Sequence, residues 1–217
     1  MYRTSINGLT PATPRDIAHN EPRHGRYPRR FLFASSPGSL RHLQIPCYHH
    51  AMAEILAVCT ANMCRSPMAE GLLRARLAAA GLDDRIRVRS AGVRALAGFG
   101  ATDHGVTLLA ARGIDISRHQ ARPLTDALLT EADLILVMEE AHRAAIARQA
   151  PQHLARVRLF NELAGGRDDV ADPVGGTLDD YRRTLAAMDA VLDQGWTTLL
   201  AALPPVDPPP PDARPRD

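Results

Sequence analysis

Between residues 52 and 203 the apolar positions keep two rhythms, short continuous runs and longer stretches at helical spacing. Ile55 to Cys59 is one such run, and it predicts a strand buried on both faces. Residues 67–80 follow with a helical pattern, with Pro67 suited to the first helical position and Ser66 to the N-cap. Ile86 and Val88 alternate with Arg85, Arg87 and Arg89, the period-two mark of a second strand, and Gly92, Gly98 and Gly100 mark the loop beyond it. A helix from about Asp103 carries Leu108 and Leu109 and stops at Gly113. Leu134 to Met138 is a third strand, wholly apolar, and the helix over 139–149 halts before Pro151. Val157 to Phe160 reads as a fourth strand. The last element, 177–201, is a long helix with Leu178, Tyr181, Leu185, Met188, Leu192 and Trp196 on one face.

Strands alternating with helices predict an α/β fold, a single domain in which a four-stranded parallel sheet carries helices on both faces. In such sheets ligands bind beyond the carboxyl ends of the strands, beside the first strand where the order reverses. The first strand-to-helix turn is therefore the place to look for chemistry.

Composition sets the limits of the domain. Of the 17 prolines in 217 residues, six fall in residues 1–51 and seven in 204–217, so the globular part is 52–203. Residues 1–51 also hold seven Arg against Asp16 and Glu21, a net charge of +5, whereas 52–203 carry a net −2. The formal +2 of the whole chain thus belongs to the extension, which reads as disordered and rich in Pro, Arg and His. Met52, just before the first strand, is favoured as the functional start. Residues 204–217 read as a disordered Pro-rich tail.

All 26 basic residues are Arg, and a chain without lysine cannot carry a Walker-type phosphate loop, a Schiff base or a lysine general base. Charge concentrated in the extension also disfavours nucleic acid as a partner, although Tyr27, Phe31 and Phe33 interleave with Arg26, Arg29 and Arg30 there. No run approaches the ~18 apolar residues of a membrane span, and no secretory leader is visible. The expectation is a cytoplasmic monomer, with signal-independent secretion as the alternative.

The turn in question reads Cys59-Thr60-Ala61-Asn62-Met63-Cys64-Arg65-Ser66-Pro67. Five residues between a cysteine and an arginine can wrap backbone N–H groups around one tetrahedral oxyanion, with the positive end of the following helix aimed at the same point. The same donors favour a thiolate, so Cys59 is expected to have a lowered pKa and to act as a nucleophile. Arg65 offers a planar fork for two phosphoryl oxygens. Ser66 can hydrogen-bond the thiolate, and Asn62 can fix the loop by side-chain to backbone bonds. Thr60, Ala61, Met63 and Cys64 complete the expected phosphate-binding loop. An acid is still needed to protonate the leaving oxygen. Asp172, held before Pro173 in a Gly-rich loop, is the best candidate, with Asp168 and Asp169 as rivals.

These residues together resemble the low-molecular-weight protein-tyrosine phosphatase family, and its bacterial branch most of all. The resemblance spans about Met52 to Leu203. It rests on Val58-Cys59 through Arg65-Ser66-Pro67, on Ser90-Ala91-Gly92, Ser117, His119-Gln120-Ala121-Arg122 and Ala132 to Met138, and on Asp172-Pro173 lying downstream of the cysteine. It implies a flavodoxin-like strand order 2-1-3-4, Cys59 as nucleophile, Arg65 as phosphate binder, Asp172 as acid and then base, and neither metal nor cofactor. The implied substrate is a phosphotyrosine-containing protein, a tyrosine kinase among the candidates. Where many relatives follow Asp-Pro with tyrosine, this chain has Val174-Gly175-Gly176. Phe99, Val174 and Met63 are the expected walls for the substrate ring. Cys64 matches a second loop cysteine, the expected partner of Cys59 in a reversible disulfide.

Three rivals remain. An arsenate reductase on the same scaffold would need resolving cysteines downstream, and none follows Cys64. A zinc module could draw on Cys47, His49, His50, Cys59 and Cys64. A catalytically idle phosphotyrosine binder is disfavoured because Cys59, Arg65 and Asp172 occur together.

Overall fold

The structure, a computed structural model, describes residues 52–205. The expectations for residues 1–51, and for the tail beyond Pro205, lie outside them. The elements run β1 (Ala53–Cys59), α1 (Arg65–Ala79), β2 (Ile86–Gly92), α2 (Asp103–Ala110), α3 (Asp126–Glu131), β3 (Leu134–Val137), α4 (Glu140–Gln149), β4 (Val157–Leu159) and α5 (Leu178–Ala201), with 3-10 turns at Pro151–Arg156 and Phe160–Ala164.

All strand pairs are parallel and the sheet order is β2-β1-β3-β4, as the resemblance implies. The pleat sends alternate residues of β1 to opposite faces. Ala53, Ile55, Ala57 and Cys59 pack with Met68, Leu72 and Leu73 of α1 and Leu185, Met188 and Leu192 of α5. Leu56 and Val58 face the other way, onto Leu129 of α3 and Ile146 of α4. Helices therefore cover both faces, and the central strand is apolar from Ile55 to Cys59, with the buried Glu54 at its start paired to Arg89. Edge strand β2 buries Ile86 and Val88 and exposes Arg87, which is what its period-two pattern predicts.

Three local readings change. Helix α1 starts at Arg65, with Cys64 at the N-cap position, so Ser66 is not the cap and Pro67 is not the first helical residue. The hydroxyl of Ser66 is occupied by the turn in front of the helix and caps nothing. Phe160 leaves β4 for a 3-10 turn. The six-residue α3 is not predicted by the sequence pattern at all, because less than two turns cannot display a helical period. At the start of α5, Thr177 and Asp180 form a reciprocal cap, the Thr177 hydroxyl accepting from Asp180 N at 3.3 Å and Asp180 Oδ2 from Thr177 N at 2.7 Å. Among the described residues no helix is long and apolar enough to cross a membrane.

Candidate active site

The carboxyl ends of β1 and β3, and the loop after the Phe160–Ala164 turn, converge on one place. Cys59 is the last residue of β1 and is almost wholly buried. Its Sγ lies 3.0 Å from Ser66 Oγ and accepts from the backbone N–H of Asn62 at 3.3 Å.

The turn keeps its shape through Asn62, which is fully buried and adopts φ 56°. Asparagine tolerates that left-handed conformation better than most residues. Its Nδ2 donates to Ser66 Oγ at 2.9 Å and to Ser90 Oγ at 2.8 Å, and its Oδ1 accepts from Arg122 N at 2.9 Å. The Ser90 hydroxyl in turn donates to Glu70 Oε2 at 2.6 Å, and His119 Nε2 meets the Asn62 carbonyl at 2.7 Å. The expected side-chain to backbone latch is thus one bond in a larger network. Beneath it lies Gly92, where a Cβ would fall 2.6 Å from Thr60 O and 2.8 Å from Asn62 N. Only a residue without a side chain lets β2 end under the loop.

Arg65 is among the most buried charged residues of the chain. Nη1 donates to Glu139 Oε1 and to Val170 O at 2.9 Å, and Nη2 donates to Asp172 Oδ2 at 2.6 Å. A fork held at three points is fixed in direction. Of the three candidates it is Asp172 that Arg65 contacts, whereas Asp169 accepts from Glu140 N at 2.8 Å at the start of α4 and Asp168 is exposed. Asp172 itself orders its loop by accepting from Val174 N at 3.2 Å.

Two neighbours of the turn, Glu139 and His142, carry no signal of their own in the sequence. Both follow the carboxyl end of β3, where the rule for parallel sheets also points. His142 is buried, with Nε2 at 2.9 Å from Thr60 Oγ1 and Nδ1 without a partner among the described residues. Burial holds its pKa below the ordinary histidine value, opposed by Glu139 and helped by Arg65.

Cys64 and Cys59 are both free thiols. Burial pushes the Cys64 thiol up to about 12, partly offset by a hydrogen bond with Tyr181. Of the expected walls, Met63 is half-buried, while Phe99 and Val174 are exposed at 51% and 64%. No cluster of three or more His, Cys, Asp or Glu side chains that could hold a metal occurs among the described residues, and Cys47, His49 and His50 of the zinc reading lie outside them.

Known proteins agree with this geometry. Residues 54–203 match the family described as low molecular weight phosphotyrosine protein phosphatase. A probable low molecular weight protein-tyrosine-phosphatase EpsP of Ralstonia nicotianae is 40% identical over 155 residues, covering 69% of this chain and 97% of that protein. A protein-arginine-phosphatase of Bacillus subtilis is 39% identical over 142 residues, covering 65% and 93%. The crystal structure of a YwlE mutant from Bacillus subtilis superimposes with a TM-score of 0.64 at 38% identity, covering 68% of this chain and 98% of that one. The cysteine at the end of β1, the turn that follows it and the shared sheet lead to one conclusion: the chain belongs to the low-molecular-weight protein-tyrosine phosphatase family, whose members act through a cysteinyl-phosphate.

Proposed function

We infer that this protein is a phosphotyrosine phosphatase in which Cys59 is the nucleophile, Arg65 the phosphate binder and Asp172 the general acid and base. The observation that carries the reading is the Arg65 to Asp172 contact of 2.6 Å, which joins the acid to the phosphate-binding turn across 107 positions of sequence. In the first step the Cys59 thiolate attacks phosphorus, the bond to the phenolic oxygen breaks, and Asp172 gives that oxygen a proton. In the second, water attacks the cysteinyl-phosphate, Asp172 takes its proton, and the sulfur leaves as a thiolate eased by the Ser66 hydroxyl. Phosphoryl transfer of this kind asks mainly for positioning and charge stabilisation, which the Arg65 fork and the N–H groups of Thr60 to Ser66 supply. The natural partner would be a cytoplasmic phosphotyrosine protein, such as a tyrosine kinase, met by a monomer.

A second reading, phosphoarginine, is favoured by the identity with the Bacillus subtilis protein-arginine-phosphatase. Against it stand Met63, Phe99 and Val174, apolar groups that suit an aryl ring better than a guanidinium. Glu139, the nearby carboxylate that could face a guanidinium, is already bound to Arg65. Peptides carrying phosphotyrosine, phosphoserine or phosphoarginine, turned over by the wild type and by Cys59→Ser, separate the readings. Phosphotyrosine should be hydrolysed fastest, and Cys59→Ser should bind phosphate without turnover. Full activity in that variant would refute the mechanism, and faster release from phosphoarginine would select the second reading.

A further inference from the structure

A groove of about 910 Å³ runs beside α1 and edge strand β2, and none of Cys59, Arg65 and Asp172 lines it. Its volume is in the range of small-molecule sites. The floor is apolar, formed by Leu77, Ile86, Val88, Ile114 and Ile116, with Gly71 leaving room where a Cβ would stand 3.1 Å from both Ile114 and Ile116.

The rim is basic. Five arginines line the groove, Arg74, Arg87, Arg89, Arg118 and Arg122, against three acids, a net +2 within a domain of net −2. Their partners decide which are available. Arg87 and Arg89 share the buried Glu54, and Arg74 leans on Glu70 at 3.5 Å. Arg118 and Arg122 make no ion pair among the described residues, and the Nε of Arg122 is buried without an acceptor there. Asp115, the acid beside Arg118, feels its charge without a direct ion pair and accepts from Ser117 N at 2.8 Å. Two guanidinium groups on the rim of a groove, neither in an ion pair among the described residues, are the groups an anion can meet there.

The same segment touches the catalytic turn from behind. His119 Nε2 is 2.7 Å from Asn62 O, and Arg122 N donates to Asn62 Oδ1 at 2.9 Å. We propose that this groove is a second ligand site, for an amphipathic anion whose flat apolar body lies over Ile114 and Ile116 and whose phosphate, sulfonate or carboxylate meets Arg118 and Arg122. Its occupancy is sensed at the phosphate loop through the two bonds to Asn62. The apolar floor matters because two partly solvated arginines hold a bare anion only weakly. The sensing rests on the phosphatase reading above, whereas the binding does not.

The test uses the full-length chain, with anilinonaphthalene sulfonate as the fluorescent probe and the phosphate loop saturated with orthovanadate. One probe should bind per chain with vanadate in place. Binding should weaken about tenfold in Arg118→Glu/Arg122→Glu, and equally in Ala75→Trp, whose indole fills the groove from α1 without a change of charge. Circular dichroism distinguishes a lost site from a lost fold. If neither variant folds, amide shifts of the wild type at 114–122 decide. Displacement of the probe by vanadate, unchanged binding in both folded variants, or shifts confined to other segments would each overturn the proposal. So would sulfate binding as tightly as the probe, since the apolar floor would then play no part. Vanadate affinity should change about twofold when the probe saturates its site, by linkage, and identical affinities would overturn the coupling. Because the probe is read without turnover, its failure leaves the phosphatase reading standing. An active Cys59→Ser would sink that reading and leave probe binding untouched.

Discussion

Nη2 of Arg65 donates to Oδ2 of Asp172 at 2.6 Å, and Nη1 of the same guanidinium is held by Glu139 and Val170 O. In the proposed mechanism the group that grips the phosphate is thereby also the group that positions the acid.

Asp172→Asn keeps an acceptor for Arg65 but has no proton to give. On a phosphotyrosine peptide kcat should fall by about 10²–10³, the usual scale for a lost general acid. On p-nitrophenyl phosphate, whose leaving group needs little protonation, the first step should suffer far less. Equal losses on the two substrates would show that Asp172 positions Arg65 and transfers no proton.

Gly92→Ala places a methyl group 2.6 Å from Thr60 O and 2.9 Å from Ala61 C, and neither is a side chain that could swing aside. The turn must shift, so stability should drop by about 1–3 kcal/mol and kcat/KM by more than about tenfold. A urea melt and steady-state kinetics read the two effects. Wild-type values in both would mean that β2 and the turn have slack the geometry does not show.

His142 supplies a pH dependence of stability. Burial depresses its folded-state pKa below that of the unfolded chain, so the unfolded state binds the proton more readily. The stability of neutral His142 is therefore fully present above the ordinary value of about 6.5 and is lost as pH falls through the depressed one. His142→Gln, which can still bond Thr60 Oγ1, should lose less stability than the wild type between neutral and acid pH in urea unfolding. Parallel curves would place the acid sensitivity on other groups.

Cys64 should resist alkylation by iodoacetamide at neutral pH while Cys59 is labelled, because burial pushes its thiol up to about 12 and the thiolate is the reactive form. Such a thiol also resolves a Cys59 sulfenate slowly. Recovery by dithiothreitol after peroxide should consequently decline with peroxide dose, and should be poorer in Cys64→Ser at each dose. Equal recovery in the variant would remove the protective disulfide.

Much of this protein is legible from periodicity and spacing alone. Ile55 to Cys59 and Leu134 to Met138 are apolar throughout because they lie in the centre of a sheet covered on both faces. Cys59, Arg65 and the turn between them are contiguous, so their chemistry can be read locally. The six-residue α3 falls below the length at which a period shows. Ser66, with every mark of an N-cap, lies one position inside the helix, and its hydroxyl meets Cys59 Sγ and Asn62 Nδ2, contacts made by the fold of the turn.

The sequence determined every strand and every helix but α3, the globular stretch between two Pro-rich ends, and the contiguous turn from Cys59 to Arg65, since each depends on neighbours within a few positions. Only the tertiary structure decided which of three aspartates faces Arg65, that Glu139 and His142 flank the turn, and that Asn62 is tied to Ser90, His119 and Arg122 at once. Those contacts cross from 28 to 107 positions of chain. They exist because a parallel sheet delivers the carboxyl ends of separate strands to one edge, and periodicity within a strand carries no record of what its neighbours bring there.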